Sequence, residues 1–71
     1  MTEALPTIWP QSDGEPVSCR EKLRVLEENY RELAQEMQDM FEDAVLMGVD
    51  EAAMRRILAD LVVALTSPHR P

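Results

Sequence analysis

The sequence predicts an all-α fold: a two-helix antiparallel hairpin, long helix first and shorter helix second, behind an irregular N-terminal arm and assembling into a helical bundle. Three observations predict it. Apolar residues recur in alternating steps of three and four from Cys19 to Met47, the period of a helix. Gly48 ends that run, and Asp50 opens a second apolar run at once. The prolines stand outside both runs, Pro6, Pro10 and Pro16 before them and Pro68 and Pro71 after, where they break no helix.

Residues 1 to 17 form the arm. Its three prolines remove backbone donors and push their predecessors away from helical angles, so an extended or irregular path is expected. The stretch PTIWP carries the only tryptophan, Trp9. It serves either as a linear motif for another protein or as a lid folded over the first helix. The large area a tryptophan buries favours packing.

The helical hairpin is expected over residues 18 to 66. In Ser18-Cys19-Arg20-Glu21 the serine caps the helix and the glutamate reaches back, the capping-box pattern. The seam that follows is Cys19, Leu23, Leu26, Tyr30, Leu33, Met37, Met40, Ala44 and Met47, a heptad pattern of about four repeats. Ala34 and Phe41 widen the stripe in a way that suits a bundle. Gly48 supplies the left-handed residue that ends many helices. The first helix is thus expected at about 19–47, roughly 43 Å long at 1.5 Å per residue.

Asp50 is a good N-cap for the second helix, with Glu51 at the positive end of its dipole. Val49 and Met54 are spaced for a hydrophobic staple. The helix should run over about 51–66, because Pro68 forbids much more. From Ile57 to Leu65 it is apolar on nearly every side, as befits a helix covered from more than one direction. Residues 67–71, SPHRP, form a loose tail.

The two lengths do not match. A second helix of roughly 24 Å covers only the later half of the first. Leu23, Leu26, Tyr30 and Leu33 then lack cover from their own chain, each forgoing on the order of 1.5–3 kcal/mol. A homo-oligomer, dimer or tetramer, follows. Its interface is expected to hold Leu23, Leu26, Tyr30, Leu33 and Met37, with Leu61 and Leu65 from the second helix. A 71-residue chain without a disulfide or structural metal usually needs such a second subunit.

Composition excludes several function classes. One cysteine and one histidine build no disulfide and no structural zinc site. No cofactor is expected. Cys19 lacks a histidine base nearby in sequence, His69 lies in the tail, and the carboxylates are scattered over helix faces, so no catalytic residue is assigned. No apolar run approaches a membrane span, and the first ten residues lack a secretory signal pattern. A cytoplasmic protein is expected.

The net charge is −7, and within residues 18 to 66 six cations face eleven carboxylates. Such a surface repels phosphate backbones unless its cations gather on one face. A DNA-reading helix begins with polar or basic residues, whereas this one begins Glu51-Ala52-Ala53-Met54. Arg55 and Arg56 could clamp a phosphate or contact a partner. They are more simply a solvated face paired with Glu51 and Asp60 at helical spacing.

One segment carries a resemblance. LEENYRELAQEMQDMFEDAVLMGVDEAAMRRIL, residues 26 to 58, resembles the GapR-like nucleoid-associated family of alphaproteobacteria. The shared steps are Leu26-Glu27-Glu28, Ala34 through Asp39, Phe41, Ala44, Gly48-Val49-Asp50 and Ala53 through Ile57. The resemblance implies helical dimers or tetramers that clasp DNA through a channel of lysines and arginines. Where that family is rich in lysine, this chain has Asn29, Tyr30, Val45, Leu46 and Met47, and the family's third helical segment is missing. The hairpin and the oligomer carry over; the DNA site does not.

The expected function is therefore a small acidic helical module for protein–protein interaction, self-associating, regulatory or accessory, and without catalysis. The alternatives are a diverged GapR-like DNA-binding protein and an acidic competitor of DNA for a basic partner. Trp9, Arg55 and Arg56 are the candidate contacts to a partner.

Overall fold

A computed structural model of the chain describes residues 8 to 69. The first seven residues of the arm and the last two of the tail lie outside the described residues. Two helices make up the regular structure, α1 over Arg20–Leu46 and α2 over Glu51–Val63. The chain divides into two compact units, one reaching to Glu36 and one beginning at Met37. Helix α1 runs through that boundary.

In the first unit the arm is a closed turn, where the sequence suggests an extended or irregular segment. Pro10 and Pro16 face each other across an antiparallel bridge. Neither proline has an N–H, so the neighbours supply the bonds: Gln11 N–H donates to the Glu15 carbonyl at 2.8 Å, and Val17 N–H to the Trp9 carbonyl at 2.8 Å. The reversal is made by Asp13 and Gly14. The Asp13 carboxylate accepts from Glu15 N–H at 2.9 Å, and Gly14 takes a φ of 90° that L-residues rarely adopt. Aspartate followed by glycine is a turn signal with a known mechanism, and here it outweighs the stiffness of the flanking prolines.

The start of α1 also differs from expectation by one residue. Leu23 N–H donates to the Cys19 carbonyl at 2.9 Å, which makes Cys19 the N-cap. Counting from Cys19, the third helical residue is Lys22, so a capping box with Glu21 falls out of register. The Cys19 thiol occupies the place of the serine hydroxyl. Glu21 turns instead to Arg24, 3.2 Å away.

In the second unit the end of α1 is a Schellman motif. Val49 N–H donates to the Ala44 carbonyl at 2.9 Å and Gly48 N–H to the Val45 carbonyl at 3.0 Å. Gly48 carries a φ of 105°. Asp50 then caps α2 as expected, its carboxylate accepting from Ala53 N–H at 2.9 Å. Helix α2 stops at Val63, with Ala64 as C-cap, three residues short of the Thr66 expected from the sequence. Leu61, Val62, Val63 and Leu65 are exposed. A helix end with no packing to hold it frays before a distant proline stops it.

The helices meet within this unit as an antiparallel hairpin. Met54 and Leu58 of α2 are its core, 3% and 9% exposed. Met37, Phe41, Ala44 and Val45 on the last turns of α1 are half-buried. Beyond Met54 and Leu58 no described residue is buried.

Candidate interaction surface

The seam of α1 splits into two columns that fare differently. Leu23, Tyr30, Met37 and Ala44, the a positions, are all half-buried. Among the d positions only Leu26 is. Leu33 is 55% exposed, Met40 50%, and Met47, just past the helix, 84%. The reason lies in what each unit sets against the helix. A straight α-helix drifts against a seven-residue repeat, and a short cover fits one flank of the seam better than both.

In the first unit the cover is the arm. Trp9 meets Tyr30 edge-on, with ring centroids 6.0 Å apart and planes at 79°, a favoured aromatic geometry. Trp9 is thereby half-buried against its own chain and not held out as a free motif. Its indole N–H is shielded from solvent and has no hydrogen-bond partner among the described residues. In the same unit Val17, Val25 and Leu26 line a shallow apolar groove edged by Glu21 and Lys22.

In the second unit the cover is α2. The Arg55 guanidinium lies over the Phe41 ring, 4.7 Å from its centroid, and 3.8 Å from the Glu51 carboxylate. Glu51, Phe41, Val45 and Leu46 line a groove on that same side. Helical periodicity puts Met40 of α1 and Ile57 of α2 on the opposite side of the hairpin, and both are exposed.

The sequence-expected interface residues thus fall into two groups. Leu23, Leu26, Tyr30 and Met37 are partly covered by the chain itself. Leu33, Leu61 and Leu65 are exposed. Met40, Met47, Ile57 and Val25 join the second group and were not among the expected interface positions. Arg55 is held by a ring and a carboxylate, while Arg56 is exposed beside it.

The charges are distributed unevenly along α1. Its cations are Arg20, Lys22, Arg24 and Arg31, and its last fifteen residues carry Glu32, Glu36, Asp39, Glu42 and Asp43 with no cation. The ion pairs of the described residues, Arg24 with Glu21 and Glu28 and Arg55 with Glu51, leave Lys22 and Asp43 out. No basic residue stands in the last turn of α1, where the helix dipole would favour one.

The Cys19 thiol is lowered below the ordinary thiol range. The main cause is the Lys22 backbone N–H donating to it, with the Glu21 N–H and the Lys22 charge adding in the same direction. Among the described residues no three His, Cys, Asp or Glu side chains converge on a point that could hold a metal ion. No helix of the described residues is long and apolar enough to cross a membrane.

The fold class is a two-helix hairpin with a folded arm, and its candidate site is an uncovered apolar face. No protein-family model matches the chain, and no curated protein or solved structure is significantly similar to it.

Proposed function

We propose that the chain is a small acidic helical interaction module that self-associates and acts as a regulatory or accessory protein without a catalytic step of its own. One observation carries this: Leu33, Met40, Ile57, Leu61 and Leu65 are all roughly half or more exposed, while among the described residues only Met54 and Leu58 are buried. Each large apolar side chain left in water forgoes on the order of 1 kcal/mol at this degree of exposure. Together they forgo an amount comparable to the whole stability of a small domain. Large apolar side chains left exposed in this number support an interface. A cytoplasmic setting accords with the free thiol of Cys19.

Sedimentation equilibrium from about 1 to 100 μM tests the reading. It expects a mass that rises with concentration to a dimer or tetramer, and a folded monomer across the range would sink it. The DNA-binding alternative is tested on the same samples by retention on duplex DNA. Net charge of −7 and the engagement of Arg55 by Phe41 and Glu51 weigh against it. Tight retention that weakens steeply with salt would replace the protein-partner reading with a nucleic-acid one.

A further inference from the structure

We propose that the partner of α1 is α1 of a second copy, lying antiparallel in a register centred on Leu33, so that Lys22 of each copy faces Asp43 of the other. The inference rests on the self-association reading above and adds an orientation and a register to it.

The free column sets the contact line. Leu26, Leu33 and Met40 recur every seven residues, with Leu33 and Met40 exposed and Leu26 half-buried. A seven-residue repeat is what allows two helices to stay in contact along a shared seam. Reversed about Leu33, the column maps onto itself, with Leu26 against Met40 of the second copy and Leu33 against Leu33. Met40 then approaches the apolar groove lined by Val17, Val25 and Leu26, and an unbranched methionine adapts to such a recess. On the other side of the contact, Ile57 shares the exposed face with Met40 and extends the surface the second copy covers.

Charge decides the orientation. In a parallel pair the acidic ends coincide, bringing Glu32, Glu36, Asp39, Glu42 and Asp43 of both copies together with no α1 cation among them. Like charges at close quarters oppose association. In an antiparallel pair that acidic end meets instead the half of α1 that holds Arg20, Lys22, Arg24 and Arg31 beside Glu21, Glu27, Glu28 and Glu32, a balanced stretch in place of a purely negative one. The second copy then supplies the cations that the C-terminal turn of α1 lacks.

The polar flank of the free column fixes the register. That flank reads Lys22, Asn29, Glu36, Asp43. About a point midway between Glu32 and Leu33, half a residue from the centre of the apolar column, it reverses onto itself as Lys22 with Asp43 and Asn29 with Glu36, a charge pair and an amide–carboxylate pair. Sliding by one heptad in one direction sets Glu36 against Glu36. Sliding in the other sets Asp43 opposite residues that precede the helix, which begins at Arg20, and shortens the overlap.

Cross-linking between mixed chains tests the arrangement. Both chains carry Cys19→Ser, which retains a preferred N-cap residue, and one carries Lys22→Cys while the other carries Asp43→Cys. In the proposed pair the two engineered positions meet, whereas like positions lie about 31 Å apart at 1.5 Å per residue. A short bismaleimide is expected to give the mixed 22–43 product. Like-position products, 22–22 and 43–43, without the mixed one would overturn the orientation and leave self-association standing. Charge reversal in the otherwise intact chain is the second arm. Lys22→Glu is expected to weaken the dimer about tenfold through its two symmetry-related pairs, and Lys22→Glu with Asp43→Lys to restore it. A dissociation constant unmoved by Lys22→Glu, in a chain whose helicity by circular dichroism is unchanged, also counts against the register. A chain that sediments as a monomer throughout removes this inference together with the reading it rests on.

Discussion

The Trp9 and Tyr30 rings stand nearly perpendicular with their centroids 6.0 Å apart, and this contact ties the arm to α1. The indole N–H is shielded and has no hydrogen-bond partner among the described residues, so the ring is expected to contribute by its area and shape. Trp9→Phe, which keeps an aromatic edge and deletes the unpartnered N–H, is expected to change stability by less than about 1 kcal/mol. Trp9→Ala is expected to lose about 2 kcal/mol, since the site is half-buried. Urea titrations followed by circular dichroism distinguish the two. Equal losses in both variants would mean that the indole nitrogen matters.

Gly48 holds the turn between the helices at a φ of 105°, and a Cβ placed there would meet no atom within 4 Å. The strain on substitution is therefore one of backbone alone. Gly48→Ala is expected to lower stability by about 1–2 kcal/mol, and Gly48→Asn by less, because asparagine tolerates the left-handed region. Thermal midpoints at one fixed protein concentration give the comparison.

At the other end of that turn the Asp50 carboxylate holds the Ala53 N–H at 2.9 Å. Asp50→Ala leaves that donor to water and is expected to lose about 1 kcal/mol, while Asp50→Ser loses little. The same thermal measurement applies. A Ser variant as unstable as the Ala variant would show that the charge, not the cap, matters at this position.

Core and interface substitutions should separate by concentration. Leu58→Ala removes one of the two side chains buried among the described residues and is expected to lose about 2–4 kcal/mol whatever the protein concentration. Met40→Gln alters a half-exposed residue and is expected to raise the dissociation constant several-fold while leaving the hairpin folded. Sedimentation and circular dichroism on the same samples resolve them. A Met40→Gln chain that associates as before would place the contact elsewhere.

The Cys19 thiol offers a pH observable. Its folded-state pKa lies below the ordinary thiol value because the Lys22 amide favours the thiolate, so alkylation should set in at a lower pH than for an unfolded peptide containing the same cysteine. The sign for stability follows from the depressed value. Thiolate capping adds stability above the unfolded-state pKa, and that addition disappears as pH falls through the folded one. Iodoacetamide rates from pH 6 to 10 give the titration, and Lys22→Pro, which lacks the amide, should move it upward.

Much of the hairpin is legible in the residues themselves. Gly48 and Asp50 define the turn through backbone geometry and a side-chain cap, both local effects that one sequence carries in full. The three-and-four spacing likewise marks the stripe on α1. What the spacing does not tell is which half of the stripe the chain uses for itself. Tyr30 and Leu33 look alike as seam positions, yet one lies under Trp9 and the other is open, because that outcome depends on how a folded arm and a 13-residue α2 meet the helix. The closed arm was signalled by Asp13-Gly14, a pair whose turn chemistry was overshadowed by the surrounding prolines. The shift of the cap from Ser18 to Cys19 arose from two adjacent residues that can both accept an amide, so sequence alone leaves a choice of one position.

Pro10 and Pro16, facing each other across the arm, have a consequence for how copies of the chain meet. Paired backbone with bare outer amides is an invitation to add another strand, the first step toward fibrous aggregates. At the two bridge positions the outward-facing donors are missing, because the residues there are imino acids. The one piece of strand-like backbone among the described residues is thus a poor template for cross-β growth.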